Sequence, residues 1–372
     1  MKADRGDVML VGSVVIPEDA LDAAGVLGLC GPKLGGHVSM LPDGEVGDRY
    51  YWINYIARHT YYPHPDMVTL SRHTFEDWKP DGALGLKDHW RFTLRDGITE
   101  LRFEKLGYAD EAKKSYEAFT RLRQAGEIAP GTRFKVALPA PESGTRPFID
   151  TAQNFEVLFD AYVDVVGREI DDICAAIPHE DLAIQWDICL EAAAIEGVPL
   201  AFREEEITRH ERNPLTRVAG VIAAVSARIP GDVWLGLHLC YGSLGHAEGG
   251  SADSAHFKEI ENLNVCVDIA NSCVAALDRP VQFIHMPVQV SRGFEDAFYA
   301  PLRRLAVGDA RIYLGLIDMV DGVEGARRRI EIARKYLPDF GVATQCGWGR
   351  RPPSDKLEGL LDLHVATAAA LS

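Results

Sequence analysis

Two histidines and two cysteines lie where this sequence could build a metal site. His238 and Cys240 are two residues apart in the segment WLGLHLCYG, and in a β-strand that spacing puts both side chains on one face. His285 lies in FIHMP and Cys346 in VATQCGWG. Thiolate sulfur and imidazole nitrogen are ligands that zinc prefers in proteins. Taken singly, each residue is more often part of a core, so the prediction of a zinc site depends on their joint placement.

The elements that would position these residues follow from an alternation of short β-rich runs with longer helical stretches. This alternation is typical of parallel strands joined by crossover helices. We predict strands at residues 8–13, 37–42, 134–139, 182–188, 233–240, 281–287, 311–317 and 341–346. Eight strands predict an α/β fold, a (β/α)₈ TIM barrel that forms one domain over residues 1–372. The active site of such a barrel lies at the C-terminal ends of its strands, where all four candidate ligands fall.

One segment, NVCVDIANSC at residues 264–273, is ambiguous between strand and helix. Its valines and isoleucine alternate as in a strand, but over residues 260–277 the apolar residues follow spacings of three and four. That longer period indicates a helix. Pro280 then ends the helix, which keeps the number of strands at eight and places His285 in the sixth.

About 90 residues separate the second and third predicted strands, far more than a simple strand-to-helix connection needs. We therefore predict that residues 46–130 form a lid or subdomain over the C-terminal mouth of the barrel. The segment RYYWINYIARHTYYPHP begins this insertion. Its Tyr51 and Trp52 could line the pocket of a flat substrate. Alternatively, they belong to an amphipathic helix that packs the lid onto the barrel.

Composition narrows the class of partner. The 372 residues are 47% hydrophobic and 25% charged, as in soluble globular proteins, and the formal net charge is -16. This charge argues against nucleic acid and anionic membranes as partners. No run reaches the roughly 18 apolar residues of a membrane span, and the first residues do not resemble a signal peptide. Seven cysteines, an odd number, suggest reduced thiols. We expect a cytoplasmic protein.

Several motifs together resemble one family. HLCYG and ATQCGWGRR resemble the zinc half-sites of the cobalamin-independent methionine synthase superfamily, which includes uroporphyrinogen decarboxylase-like barrels. The motifs VGSV, DGEVGDR and IQWDICLE, in that order along the chain, resemble those of the family's first, second and fourth strands. The resemblance covers nearly the whole chain but only the C-terminal catalytic barrel of full-length methionine synthases. It implies a divergent single-barrel member.

The resemblance also implies a metal site. His238, Cys240 and Cys346 match three of the family's zinc ligands. The fourth ligand of methionine synthases is a glutamate at the end of the sixth strand, where this chain has His285. His285 is therefore either the fourth ligand or a group that forms hydrogen bonds or transfers a proton.

Substrate-binding and catalytic residues follow from the same resemblance. Glu45 and Asp187 match the acidic residues that hold the amino group of homocysteine, and Ser13 matches the Gly-Ser of the first strand. Each carboxylate could instead cap a turn or a helix. The family's proton-transferring histidine of the seventh strand is missing, and Asp318 lies close to its position. Asp187, Asp318 and His285 are therefore the candidate catalytic residues.

The implied activity is a zinc-dependent alkyl transfer, in the simplest case of a methyl group, to a small-molecule thiol bound as a thiolate. A tetrahydrofolate-type molecule is a candidate methyl donor or acceptor. In methionine synthases a Glu-Pro pair follows the aspartate of the fourth strand, whereas this chain has Ile188 and Cys189. This departure leaves two alternatives open: a metal-independent barrel lyase or decarboxylase, and a non-catalytic accessory protein that binds thiols or metals.

Overall fold

The structure is a computed structural model that describes residues 6–14, 21–51, 53–73, 89–198, 200–242, 256–348 and 357–371. Seven parallel strands form one sheet in the order β1-β4-β5-β6-β7-β8-β9, and β2 and β3 form a separate antiparallel pair. The strands are β1 (Met40–Pro42), β2 (Met67–His73), β3 (His89–Leu94), β4 (Arg133–Pro139), β5 (Leu182–Ile188), β6 (Trp234–Leu239), β7 (Phe283–Pro287), β8 (Arg311–Ile317) and β9 (Gly341–Thr344).

Helices follow most strands of the large sheet. The described α-helices are α1 (Ala23–Leu34), α2 (Asn54–Ile56), α3 (Tyr108–Gln124), α4 (Pro141–Thr145), α5 (Ala152–Ala176), α6 (Leu190–Ile195), α7 (Pro214–Ser226), α8 (Asn264–Ala276), α9 (Asp296–Tyr299), α10 (Gly322–Ala333) and α11 (Leu357–Ala369). The described helices include none that is long and apolar enough to cross a bilayer.

The seven-stranded sheet curls so that its two edges approach one another. Val8 forms parallel bridges with Val38, which precedes β1, and with Val342 in β9. The Val8 amide donates to the His37 carbonyl, and the Met9 amide donates to the Val342 carbonyl, each at 3.0 Å. One short segment thus contacts both edge strands, so the sheet has the curvature of a barrel. The predicted α/β fold with parallel strands is confirmed at this level.

The strand predicted at residues 8–13 is limited in the structure to the bridges of Val8. The next carbonyl groups are used differently: Lys135 Nζ donates to the carbonyls of Leu10 and Val11 at 2.5 and 2.7 Å. The Gln185 side-chain amide donates to the same Val11 carbonyl at 3.0 Å. Because side chains inside the barrel satisfy these oxygen atoms, the segment needs no continuous ladder there.

The other strand predictions agree well with the structure. From β4 onward every predicted strand matches the observed bounds within two residues at each end, and the strand predicted at 37–42 is shortened to β1. Residues 264–276 form helix α8, as the longer apolar period indicates. The β2–β3 hairpin is the pair of strands that the sequence analysis missed.

Buried side chains pack in the interior of the curled sheet. Its apolar layer consists of buried residues from alternate positions of several strands: Met9, Val11, Met40, Ala183, Phe283, Tyr313 and Ala343. Gly236 leaves room for this layer, since a Cβ there would lie 2.1 Å from the Phe283 ring. Strand residues of the opposite face, such as Trp186 and Leu237, pack in a second core beneath the helices.

Among the described residues between β1 and β4, the β2–β3 pair and helix α3 lie in different parts of the fold. The β2–β3 hairpin lies outside the large sheet, and Phe92 in β3 bridges Ile149, close to the start of α5. Helix α3 packs against α1, α5 and β4, and therefore belongs to the layer of helices around the sheet. The segment predicted as a lid thus contributes both a hairpin and a helix of this outer layer.

Candidate metal centre and substrate pocket

The predicted site residues come from the C-terminal ends of several parallel strands. His238 lies near the end of β6, and Cys240 directly follows that strand. Asp187 lies near the end of β5, as the register partner of His238, and Cys346 follows β9 by two residues. Since parallel strands all end on the same rim of a curled sheet, these side chains are brought to one place.

His238, Cys240 and Cys346 form a cluster whose ligand atoms all lie within 4.8 Å of one another. The two sulfur atoms are 3.5 Å apart, and Cys346 Sγ is 3.8 Å from His238 Nε2. Tetrahedral zinc at standard bond lengths would separate two sulfur ligands by about 3.8 Å and sulfur from nitrogen by about 3.6 Å. Both the residue types and their spacing therefore fit a zinc ion.

His285 lies behind His238 rather than in this cluster. Its Nε2 is 3.0 Å from the Thr344 carbonyl oxygen, and its Nδ1 is 2.8 Å from His238 Nδ1. A carbonyl oxygen only accepts, so a neutral His285 carries its proton on Nε2 and offers the Nδ1 lone pair. His238 must then donate from Nδ1, which leaves a lone pair on its Nε2. That atom is the one that faces the two cysteines.

Burial keeps both imidazoles neutral. It lowers the pKa of His238 to about 4 and that of His285 to about 3. The Cys240 thiol has a raised pKa, first because of a hydrogen bond with Cys189 and further because of burial. The pKa of Cys346 is also raised, first by its hydrogen bond with Cys240 and then by burial. A divalent cation bound by these sulfur atoms must displace their protons, so its affinity should rise with pH.

A pocket opens beside the cluster. Among the described residues it is lined by Val11, Gly12, Ser13, Glu45, Asp187, Cys189, His238, Cys240, Gly242, Cys346 and Gly347. The lining contains the three candidate ligands, and two carboxylates face the same space. The structure therefore brings Ser13, Glu45 and Asp187 together with the cluster.

Glu45 has a backbone conformation that the pocket explains. Its φ is 51°, and it is the single residue other than glycine with a positive φ among the described residues. Its amide donates to Asp43 Oδ1 at 3.0 Å, and Asp43 is held in turn by Arg49. A Cβ added at Gly12 would lie 2.8 Å from Glu45 Oε1. The glycine therefore lets this carboxylate reach the pocket from a strained backbone position.

Asp187 is connected to a buried lysine beneath the pocket. Gln185 donates from Nε2 to Asp187 Oδ1 at 2.7 Å and accepts at Oε1 from Lys135 Nζ at 2.9 Å. Lys135 Nζ therefore has three oxygen acceptors, this amide and the carbonyls of Leu10 and Val11, which matches the three protons of an ammonium group. Burial lowers the pKa of Lys135 to about 7, while Asp187 and Glu45 act in the opposite sense. The pKa of Asp187 is raised, mainly by burial and then by Glu45.

Three residues of this site were missed by the sequence analysis. Lys135 points into the barrel from β4, and Gln185 does so from β5. Nothing in the sequence distinguishes Lys135 from an exposed lysine. Cys189 follows Asp187 by two residues, so it projects to the same side and lines the pocket. That spacing was the signal that could have identified it.

The remaining predicted residues lie in different places. Asp318 directly follows β8, is buried, and accepts at Oδ1 from the Val320 amide at 2.8 Å, but it is not part of the described pocket lining. Trp52 lies outside the described residues, and the structure describes the backbone of Tyr51 but not its side chain.

Comparisons with known proteins give a structural relationship. No protein-family model and no curated protein match the chain. A B12-independent methionine synthase from Shewanella sp. W3-18-1, solved with selenomethionine, superposes with a TM-score of 0.56 at 13% identity, covering 89% of this chain and 82% of that one. A Listeria monocytogenes protein provisionally described as a vitamin-B12-independent methionine synthase gives 0.54 at 12% identity, covering 98% and 97%. The chain thus has the fold of methionine synthase-like proteins, as its motifs predicted.

Proposed function

We propose that this protein is a zinc-dependent alkyltransferase, transferring in the simplest case a methyl group to a small-molecule thiol. The observation that carries the proposal is the cluster of His238, Cys240 and Cys346, whose ligand atoms lie within 4.8 Å of one another beside a pocket. The shared fold with methionine synthase-like proteins supports a methyltransferase over other barrel enzymes.

The three ligands would hold the metal through His238 Nε2 and the two cysteine sulfur atoms. Bound zinc would supply a Lewis acid that keeps the acceptor sulfur deprotonated near neutral pH, and the thiolate is the nucleophilic form of a thiol. His285 has the role of an orienting group, since it accepts from His238 Nδ1 and donates to the Thr344 carbonyl. Such partners fix the tautomer and orientation of a ligating histidine.

The acceptor would be anchored by its polar groups beside the ligands. Glu45 and Asp187 present two carboxylates in the pocket, so an amino group on the thiol substrate would find its counter-charge there. Ser13 offers a hydroxyl at the same wall. The Shewanella protein was solved with selenomethionine, which is an amino acid carrying a methylated chalcogen, the type of molecule that such a transfer would produce.

Other residues near the strand ends would transfer a proton and bind the methyl donor. Asp187 is our candidate for proton transfer, since it lies in the pocket and burial raises its pKa. Asp318 would act from outside the described lining, by orienting the loop after β8. We further propose that the predicted lid at residues 46–130, apart from its helix α3 in the outer layer, covers the mouth of a closed (β/α)₈ barrel with Tyr51 and Trp52. There they would bind a tetrahydrofolate-type or other methyl donor and exclude water. We expect the reaction to take place in the cytoplasm.

The test is a metal analysis combined with an assay. Native protein purified without chelators should contain about one zinc per chain. Cys240→Ser should lose most of the metal and the activity, which would be measured with a panel of thiols and methyl donors. Cys174→Ser is the matched control, since Cys174 lies in α5 and is not part of the cluster.

Two results would overturn the proposal. Zinc far below one per chain, with full activity in Cys240→Ser, would favour a metal-independent lyase or decarboxylase. A full complement of zinc with thiol binding but no product from any donor would favour an accessory protein that binds thiols or metals.

A further inference from the structure

The two halves of the metal centre come from strands that are not neighbours. His238 and Cys240 belong to the end of β6, whereas Cys346 follows β9, and both β7 and β8 lie between these strands in the sheet. Backbone pairing therefore does not fix the separation of the two cysteines directly. Two histidine side chains join the halves: His285, described above, and a second histidine further along the chain from Cys240.

The second histidine is His256. Its Nδ1 is 2.6 Å from the Gly242 carbonyl oxygen, and its Nε2 is 2.9 Å from Gln345 Nε2. A carbonyl oxygen only accepts, so His256 donates from Nδ1. In the neutral ring, Nε2 then offers a lone pair to the Gln345 amide. The imidazole thus links the second residue after Cys240 to the residue before Cys346.

The two ends of this link are held in different ways. The Phe257 amide donates to the Tyr241 carbonyl at 3.1 Å, and the two rings stack with centroids 5.3 Å apart. His256 is therefore attached to the chain that follows Cys240. At the other end Gln345 is fully buried, and its Oε1 has no hydrogen-bond partner among the described residues. The Gln345 amide is thus oriented by its contact with His256.

We propose that His256 is a positioning residue that holds Cys346 next to Cys240 and so pre-organises the metal centre. The expected effect on zinc affinity rests on the proposed function. The positioning of Cys346 next to Cys240 does not depend on zinc. His256 is not one of the three candidate ligands. Its loss should let the two loops separate, so that metal binding has to bring them together again.

The experiment measures zinc affinity by competition with a chelator of known affinity. His256→Ala should weaken zinc binding about tenfold, the lower end of the effect of losing an outer partner of a metal site. His256→Asn keeps a donor near the Nδ1 position for Gly242 but cannot reach Gln345, and it should lose nearly as much. Gln345→Met should show the same loss, and combining it with His256→Ala should add little, because both changes break one link.

His179→Ala is the matched control. His179 is another partly exposed histidine and forms a hydrogen bond with Asp232. It lies just before the start of β5, at the opposite end of the strands from the cluster. It should leave zinc affinity unchanged.

A second measurement does not depend on zinc. After chelation, the thiol oxidant diamide should convert Cys240 and Cys346 to a disulfide. The two thiols lose two electrons and two protons, which reduce diamide to its hydrazine. Cross-linking should be slower in His256→Ala than in native protein, measured by peptide mapping over time. If native protein binds no zinc but this difference is found, the proposed function fails and the positioning role stands. Zinc affinity and cross-linking rate both equal to native would overturn the positioning role.

Discussion

The contact between His238 and His285 allows a quantitative prediction for zinc affinity. His285→Gln keeps an amide near the position of Nε2, where it can still donate to the Thr344 carbonyl, but it removes the acceptor of His238 Nδ1. His238 would then carry its proton on Nε2, directed at Cys346 Sγ 3.8 Å away. A cation at Nε2 forces the proton back to Nδ1, where it is buried without a partner.

The size of the effect follows from that unpaired donor. A buried donor left without an acceptor costs about 1–3 kcal/mol. At 1.4 kcal/mol for each factor of ten, the dissociation constant for zinc should rise roughly 5- to 150-fold. His285→Asn is the matched variant, because its side-chain oxygen can occupy the position of Nδ1 and accept from His238. Its loss of affinity should be clearly smaller than that of His285→Gln.

The assay is chelator competition, combined with X-ray absorption at the zinc edge to count imidazole ligands. Our reasoning predicts one imidazole and two sulfur atoms in native protein. Two imidazoles in the native spectrum would make His285 a ligand and would refute the orienting role. Native zinc affinity in His285→Gln would refute the tautomer argument.

Three further predictions concern the barrel and its buried groups. Lys135→Met removes the donor of the Gln185 oxygen and of the Leu10 carbonyl, whereas the Val11 carbonyl keeps its bond from the Gln185 amide, so the free energy of unfolding in urea should fall by about 2–5 kcal/mol; a change below about 0.5 kcal/mol would contradict this. Gly236→Ala puts a Cβ 2.1 Å from the Phe283 ring and should lower stability by about 1–3 kcal/mol, part of which Phe283→Leu should restore. His364 lies in α11, and burial lowers its pKa from 6.5 to about 4. Between these two pH values the histidine binds a proton when the protein unfolds. The stability from this group is complete above pH 6.5 and falls by about 1.4 kcal/mol per unit as the pH drops towards 4; His364→Leu should make the measured pH dependence shallower by that amount, while the share of His238 and His285 stays.

The strands were predictable because their local patterns are strong. The runs that became β4 to β9 are apolar, bounded by turn residues and separated by helical stretches, so local sequence defined them within two residues. The segment at residues 8–13 looks the same locally. Its ladder ends after Met9 because Lys135 and Gln185 take the next carbonyl groups. Those two side chains lie more than a hundred residues away in the sequence. Their contacts with this segment therefore cannot be predicted from its local pattern.

The site was partly predictable for a similar reason. The i, i+2 spacing of His238 and Cys240, together with the positions of strand ends, was enough to place both with Cys346. The same reasoning put His285 at the right height of the barrel. The sequence does not show which way the ring nitrogens of His285 point. Their direction depends on the contacts with the Thr344 carbonyl and with His238. His256 follows no strand, so neither period nor strand end distinguished it.

The bridges of Val8 have a consequence for how the protein is made. Val8 pairs with Val342, so the contact that joins the two edges of the sheet links residues that are far apart in the sequence. Contacts of such large sequence separation form slowly and late. During synthesis from the N-terminus, the segment that contains Val8 cannot form this contact until β9 has left the ribosome. Cys346 follows β9 by two residues, so the step that brings the sheet edges together also positions the last candidate ligand. A nascent chain that stops short of this strand has neither the contact between the two sheet edges nor the complete set of candidate ligands.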